Sequence, residues 1–236
     1  MICMKVTILL PVYNEEQNVR NAYAQVKAEL ERLNLGYEII IAEDGSSDRS
    51  YEIAKEIASK DKNVTLSHAN ERLGRGCSLT RAIKLAKGNK VIYMDVDLAT
   101  DLKHLKTLIN ALDNNDIATG SRLMHNSKIK RGIKREISSR VFNFLVRLFL
   151  KSKIRDHQCG FKGFNKERVI PILDKVRDNH WFWDTELLVR AQRAGLTIAE
   201  IPVEWIEPSE ETKVNVIKDS INMFRSIIRL WIEFTF

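Results

Sequence analysis

Four short apolar runs, at residues 5–10, 38–42, 64–68 and 90–94, are each followed by a polar turn and then by a stretch with apolar residues at helical spacing. A chain that alternates in this way has few folds open to it. Each strand must return to the same sheet through a helix, and right-handed crossovers then give a mainly parallel sheet with helices on both faces. Val19, Tyr23, Val26 and Leu30 mark the first helix, and Ile53 and Ile57 the second, over 49–60. Further helices are predicted over 78–87 and 101–112, with a fifth strand at 116–120. After about residue 122 the alternation stops. A helix rich in Phe and Leu is predicted over 138–151, a loop over 156–164, helices near 166–177 and 184–194, and a strand over 197–205. The end, 214–236, reads as an amphipathic helix with Ile217, Ile221, Phe224, Ile228 and Trp231 on one stripe. No Pro/Gly-rich linker divides the chain, so one α/β domain is expected over 1–213, followed by a C-terminal helix at 214–236 suited to a membrane interface.

Charge narrows the partners. Between Lys128 and Arg155 stand ten basic residues and one acid, Glu136, a net +9 in a chain of total charge +7. Such a segment suits phosphate groups, an anionic membrane surface or nucleic acid. Nucleic acid is disfavoured, because the segment lacks interleaved aromatics presented on a strand, and its Phe142, Phe144, Leu145, Leu148 and Phe149 suit lipid better. No apolar run approaches the roughly 20 residues that cross a bilayer. With no cleavage site after the first strand, a cytosolic chain is expected, peripheral on the cytosolic face of a membrane. Cys3, Cys77 and Cys159 are odd in number and far apart, so neither a disulfide framework nor a zinc site is indicated.

Parallel sheets bind ligands beyond the carboxyl ends of their strands, and polar motifs stand at those ends: Asn14-Glu15-Glu16, Glu43-Asp44-Gly45-Ser46, the 70–76 turn and Asp95-Val96-Asp97. Asp95 and Asp97 lie two residues apart in extended chain, so their carboxylates point the same way and suit Mg²⁺ or Mn²⁺ bridging to a diphosphate. Gly74-Arg75-Gly76 opens like a dinucleotide fingerprint, but Leu79 replaces its third glycine, and no Walker loop is present.

Taken in order, several motifs resemble those of the family 2 glycosyltransferases, and within them the synthases that load a sugar onto dolichyl or polyprenyl phosphate. They are Pro11-Val12-Tyr13-Asn14-Glu15-Glu16, the 43–48 segment, Arg72-Leu73-Gly74-Arg75-Gly76, Asp95-Val96-Asp97-Leu98-Ala99-Thr100, Gly120-Ser121-Arg122, the 135–140 stretch, Cys159-Gly160-Phe161-Lys162 and Phe182-Trp183-Asp184-Thr185-Glu186. The resemblance implies a GT-A fold, a Rossmann-like α/β sheet, and an inverting transfer from a nucleotide sugar to the lipid phosphate. It places Pro11, Tyr13, Glu15, Ala42, Asp44, Asp95, Val96 and Asp97 around the nucleotide sugar, with Asp95 and Asp97 on the metal. Arg122, Arg135, Ser139 and Arg140 fall to the acceptor phosphate, and Asp97, Arg122, Arg135 and Glu186 to catalysis, with Asp184 near Glu186. Ala99 stands where mannose-transferring members carry Gln, which favours UDP-glucose or another UDP-sugar over GDP-mannose. A phosphate monoester is largely dianionic at neutral pH, so it needs no strong base. Two other readings compete: a family 2 transferase acting on a sugar hydroxyl, which would need Asp184 or Glu186 as a base, and a basic nucleic-acid-binding module.

Overall fold

A computed structural model describes residues 6–207 and 216–235. Strands β1 (Val6–Val12), β2 (Tyr37–Glu43), β3 (Val64–Ser67), β4 (Lys90–Met94), β5 (Ile117–Ser121), β7 (Phe161–Asn165) and β8 (Ile198–Pro202) form one sheet in the order β3-β2-β1-β4-β7-β5-β8. Every pairing is parallel except the two made by β7, which runs antiparallel to β4 and β5. A second, two-stranded sheet pairs β6 (Lys128–Lys130) with β9 (Glu204–Ile206).

The side-chain period of two decides the layers. Ile8 and Leu10 of β1 face a core shared with α1 (Val19–Arg32), α2 (Ser50–Lys60) and α4 (Leu105–Ala111), while Leu9 faces the other core, with α3 (Arg75–Leu85), α6 (Lys166–Leu173) and α7 (Trp183–Arg193). All three are fully buried, each contributing roughly 1.5–3 kcal/mol. A third cluster joins Val146 and Leu150 of α5 (Ile133–Leu150), Phe182 and Val189, and Ile227 and Leu230 of α8 (Val216–Thr235).

The structure departs from the sequence expectations in five places. The expected loop at 156–164 contains β7, a strand at the middle of the sheet. Gly160, Gly163 and the buried Lys162 break its apolar alternation, and Lys162 is tolerated inside because Asp184 and the Tyr93 hydroxyl face it at 3.1 Å each. Helix α3 begins at Arg75 rather than 78, and α5 at Ile133 rather than 138. The strand expected over 197–205 divides at Val203 between the two sheets. On α8 the core-facing residues are Ile227 and Leu230, while Ile221, Phe224 and Trp231 of the expected apolar stripe are exposed. The boundary placed at 213/214 and Cys3 lie outside the described residues.

Candidate active site

In the order β3-β2-β1-β4 the strand order reverses at β1, with β2 and β3 added on one side and β4 on the other, and parallel sheets open a crevice at such a switch point. The motifs after β1, β2 and β4 meet there. The Asn14 N–H donates to Ser46 Oγ at 2.9 Å and the Ser47 N–H to Asn14 Oδ1 at 2.8 Å, while the Glu15 N–H reaches Ser50 Oγ at 2.7 Å. Pro11 pairs in register with Ala42. Asp44 is buried, and its two carboxylate oxygens accept the N–H groups of Leu73 (3.0 Å) and Gly74 (2.9 Å). Asp44 therefore fixes the third polar turn. The Arg72 guanidinium sits 4.0 Å from the centre of the Tyr13 ring, a flat cationic surface of the kind on which a base can stack.

At the end of β4, Asp95 is bonded by Arg75 at 2.6 Å, and the same guanidinium reaches Asp184 at 2.8 Å. Asp184 also receives the Tyr93 hydroxyl. Burial alone would raise the Asp184 pKa, but Lys162 and Arg75 outweigh it and hold the carboxyl below its ordinary value. Burial beside Asp184 raises Tyr93 well above the usual phenol range. Gly160 lies so close to the Asp95 carboxylate that a Cβ there would collide with it, and its carbonyl accepts the Asp95 N–H at 3.1 Å. Asp97 is accessible at the mouth of the crevice, yet partial desolvation and then the charge of Asp95 push its carboxyl up to about 6. Val96, between them, is buried.

No group of three or more His, Cys, Asp or Glu suited to a metal occurs among the described residues. Asp95 and Asp97 nevertheless fit a hard divalent cation that takes its other ligands from a diphosphate and water, because their mutual repulsion is what such a cation relieves.

The basic residues are less free than their number suggests. Arg122 is held by Asp156 in a bidentate pair, Nε at 2.7 Å and Nη2 at 2.9 Å, with Asp156 fully buried and the Arg122 side chain mostly so. Arg122 and Arg131 lie on the Trp205 ring at 5.7 and 5.9 Å. Arg135 pairs with Glu207, and Arg140 with Glu136 at 2.5 Å. The Ser139 hydroxyl is buried without a hydrogen-bond partner among the described residues. Next to it a cavity of about 290 Å³ is lined by Leu123, Arg140, Asn143, Phe144, Arg147 and Arg155.

Asp184 and Glu186 go to opposite sides of α7, as a separation of two residues on a helix requires. Asp184 joins the Asp95 corner, whereas Glu186 is fully buried against Arg190 (2.7 Å) and Arg229 (2.5 Å). The structure thus brings Asp95, Arg75, Asp184, Tyr93 and Lys162 together and leaves Glu186 outside that group. Arg75 and Tyr93 had no role assigned from sequence. The signal for Arg75 was its place in a glycine-rich turn opposite an acidic rim.

The sequence pattern of glycosyl transferase family 2 matches residues 7–171. Glycosyltransferase AglD of Haloferax volcanii is 45% identical over 98% of this chain, which spans only 38% of that relative's length. A dolichyl-phosphate beta-glucosyltransferase of Drosophila melanogaster is 29% identical, over 98% of this chain and 76% of its own. Among solved structures, glucosyl-3-phosphoglycerate synthase from Mycobacterium tuberculosis, in complex with Mn²⁺, UDP and glucosyl-3-phosphoglycerate, superposes with a TM-score of 0.66. That match covers 95% of this chain and 77% of the other at 18% identity, a likeness of fold.

Proposed function

The chain belongs to glycosyl transferase family 2 and is a glycosyltransferase, and from that premise we propose that it moves a sugar from a nucleotide sugar to the phosphate of a dolichyl or polyprenyl phosphate, with inversion at the anomeric carbon. A UDP-sugar such as UDP-glucose is the favoured donor. The observation that carries this reading is the carboxylate pair, Asp95 and Asp97, at the end of β4, with Arg122 near enough to feel the charge of Asp95 and a segment of arginines around an orphan hydroxyl, Ser139, in the chain beyond it. The dolichyl-phosphate beta-glucosyltransferases among the relatives, and the UDP and Mn²⁺ named for the solved neighbour, support the same assignment.

On this reading Pro11, Tyr13, Glu15, Ala42, Asp44 and Val96 surround the nucleoside, with Arg72 completing the platform at Tyr13. Asp95 and Asp97 would hold Mg²⁺ or Mn²⁺, which when bound supplies positive charge to the departing nucleoside diphosphate. Arg75, already at Asp95, adds a fixed cation beside it. Asp184 stays ionised and pinned by Arg75, Lys162 and Tyr93, which suits it to orientation rather than proton removal. An acceptor that arrives as a phosphate dianion, with a second pKa near ~6, needs no base. The sugar-hydroxyl alternative does need one.

The acceptor phosphate is assigned to Arg135, Ser139 and Arg140, with Arg122 behind them. Phosphate competes with Glu207 for Arg135. Arg135→Ala is therefore expected to lower acceptor efficiency by roughly tenfold to a hundredfold while leaving affinity for the nucleoside diphosphate unchanged. Acceptor-dependent kinetics beside calorimetry give both numbers, and loss of nucleotide affinity with normal acceptor kinetics would move Arg135 to the donor side.

A lipid acceptor is met at the bilayer surface. Helix α5 exposes Ile133, Ile137, Val141, Phe144 and Leu148 in one helical stripe flanked by Arg140 and Arg147, and α8 exposes Ile221, Phe224, Trp231 and Ile232. Phe149 joins the helices, edge-on to Phe224 and Trp231 with ring centres at 6.3 Å in each case. No helix among the described residues is long and apolar enough to cross a membrane. The pair suits an interfacial position on the cytosolic leaflet, where anionic lipid attracts the flanking cations. The protein is expected to float with anionic vesicles, less so in salt; a protein that remains at the bottom of the gradient under both conditions contradicts this.

A further inference from the structure

The segment between α6 and α7 touches both the donor-side turn and helix α8. On the donor side, the Asn179 carbonyl accepts the N–H groups of Gly76 (2.8 Å) and Cys77 (3.2 Å), the first turn of α3. Gly74, just before it, has φ +109°, and a Cβ there would strike the Asn179 carbonyl and the His180 ring. This turn presents Arg75 to Asp95 and Asp184, and it is also the turn whose N–H groups Asp44 holds.

On the other side, Glu186 takes the N–H groups of Arg177 (3.2 Å) and Asp178 (3.1 Å) with the same carboxylate that binds Arg229 of α8. Asp178 accepts the His180 N–H at 2.8 Å and the Ser226 hydroxyl of α8 at 3.5 Å. Arg190, also on Glu186, grips Glu233 of α8 at 2.8 and 3.0 Å. One buried carboxylate therefore ties α8 to the strap that braces the Arg75 turn.

We propose that Glu186 is a positioning residue through which docked α8 holds residues 177–180, and with them the Gly74–Arg75 turn, in the geometry that binds the nucleoside diphosphate. The proposal rests on the donor reading above. It gives Glu186 a role in the reaction without contact with the reacting atoms, and it makes the surface helix a partner of the nucleotide site. By linkage, bound nucleotide must tighten α8 as much as α8 tightens nucleotide binding.

Arg229→Ala is the variant of choice, because Glu186 keeps Arg190 and both backbone donors when Arg229 is lost. Titration of UDP with Mn²⁺ into the full chain is expected to show roughly threefold to tenfold weaker binding for this variant. Arg229→Lys should restore part of it, since an ammonium keeps the charge and loses the fork. Hydrogen exchange supplies a readout independent of ligand: the Gly76 and Cys77 amides should exchange faster in Arg229→Ala, and by a smaller factor in Ser226→Ala. Arg20→Ala, which breaks the exposed Arg20–Glu56 pair at 2.6 Å, should change neither quantity. Unaltered UDP affinity and unaltered exchange at Gly76 and Cys77 in folded Arg229→Ala would overturn the proposal. A parent chain that binds no UDP contradicts the donor reading instead, and the exchange measurement then decides the coupling by itself.

Discussion

Asp97→Ala is expected to abolish sugar transfer, lowering turnover by roughly a thousandfold or more, while the urea midpoint of the protein stays at that of the parent. The two halves of this expectation have separate causes. Asp97 is accessible, accepts the Ala99 N–H at 3.0 Å, and is held above its ordinary pKa by partial desolvation and the charge of Asp95. A carboxylate in that position relieves like-charge repulsion when it is removed, so the fold has little to lose. Catalysis has much to lose, because one of the two oxygen donors at the end of β4 disappears. Turnover close to the parent's, or equal activity of the parent in EDTA and in Mn²⁺, would rule out the role assigned to the pair.

Arg122→Ala should do the opposite and unfold readily. Arg122 and Asp156 form a buried bidentate pair, and Asp156 also accepts the Arg122 N–H at 2.9 Å. Removing the guanidinium strands a carboxylate with no solvent access, at a cost of about 3–5 kcal/mol. The pH dependence follows from the sign of the shift. Burial raises the Asp156 pKa, Arg122 more than reverses this, and the folded value lies far below the unfolded one. In the parent, the pair's contribution is present above roughly pH 4 and is lost as pH falls below that. In the variant, burial without Arg122 lifts Asp156 above its ordinary value, so the stability gap is widest at neutral pH and narrows in acid. Urea denaturation at pH 7 and pH 4 measures both gaps. The double change Arg122→Met with Asp156→Leu should recover stability without recovering transfer, since the cation behind Arg135 and Arg140 is still missing. A gap that widens in acid would contradict the assignment of charge within this pair.

The first half of the fold is legible because each strand there is an apolar run and each helix an apolar stripe; β4 coincides with its predicted limits at Lys90 and Met94. Strand β7 was hidden for a physical reason. Its inward lysine is admissible only through Asp184 and Tyr93, supplied from α7 and β4. The start of α3 was hidden likewise, since Arg75 and Gly76 are poor local signals and the helix is capped by the Asn179 carbonyl about a hundred residues away. In the site, the acidic rim is a local feature and could be read directly. The ion pairs were not readable, because a segment of net charge +9 gives no indication that Glu207, Glu136 and Asp156 already occupy Arg135, Arg140 and Arg122. The opposed directions of Asp184 and Glu186 were readable in principle from helical period alone.

The most direct test is chemical. The full chain is incubated with Mn²⁺, dolichyl phosphate and UDP-glucose labelled in the sugar, beside other nucleotide sugars, and the lipid phase is extracted and counted. Label is expected in an acid-labile glycosyl phosphate in the lipid phase, strongest with a UDP-sugar and absent without dolichyl phosphate. Label that stays in the aqueous phase with every donor, or that appears only on a sugar-hydroxyl acceptor, would contradict this.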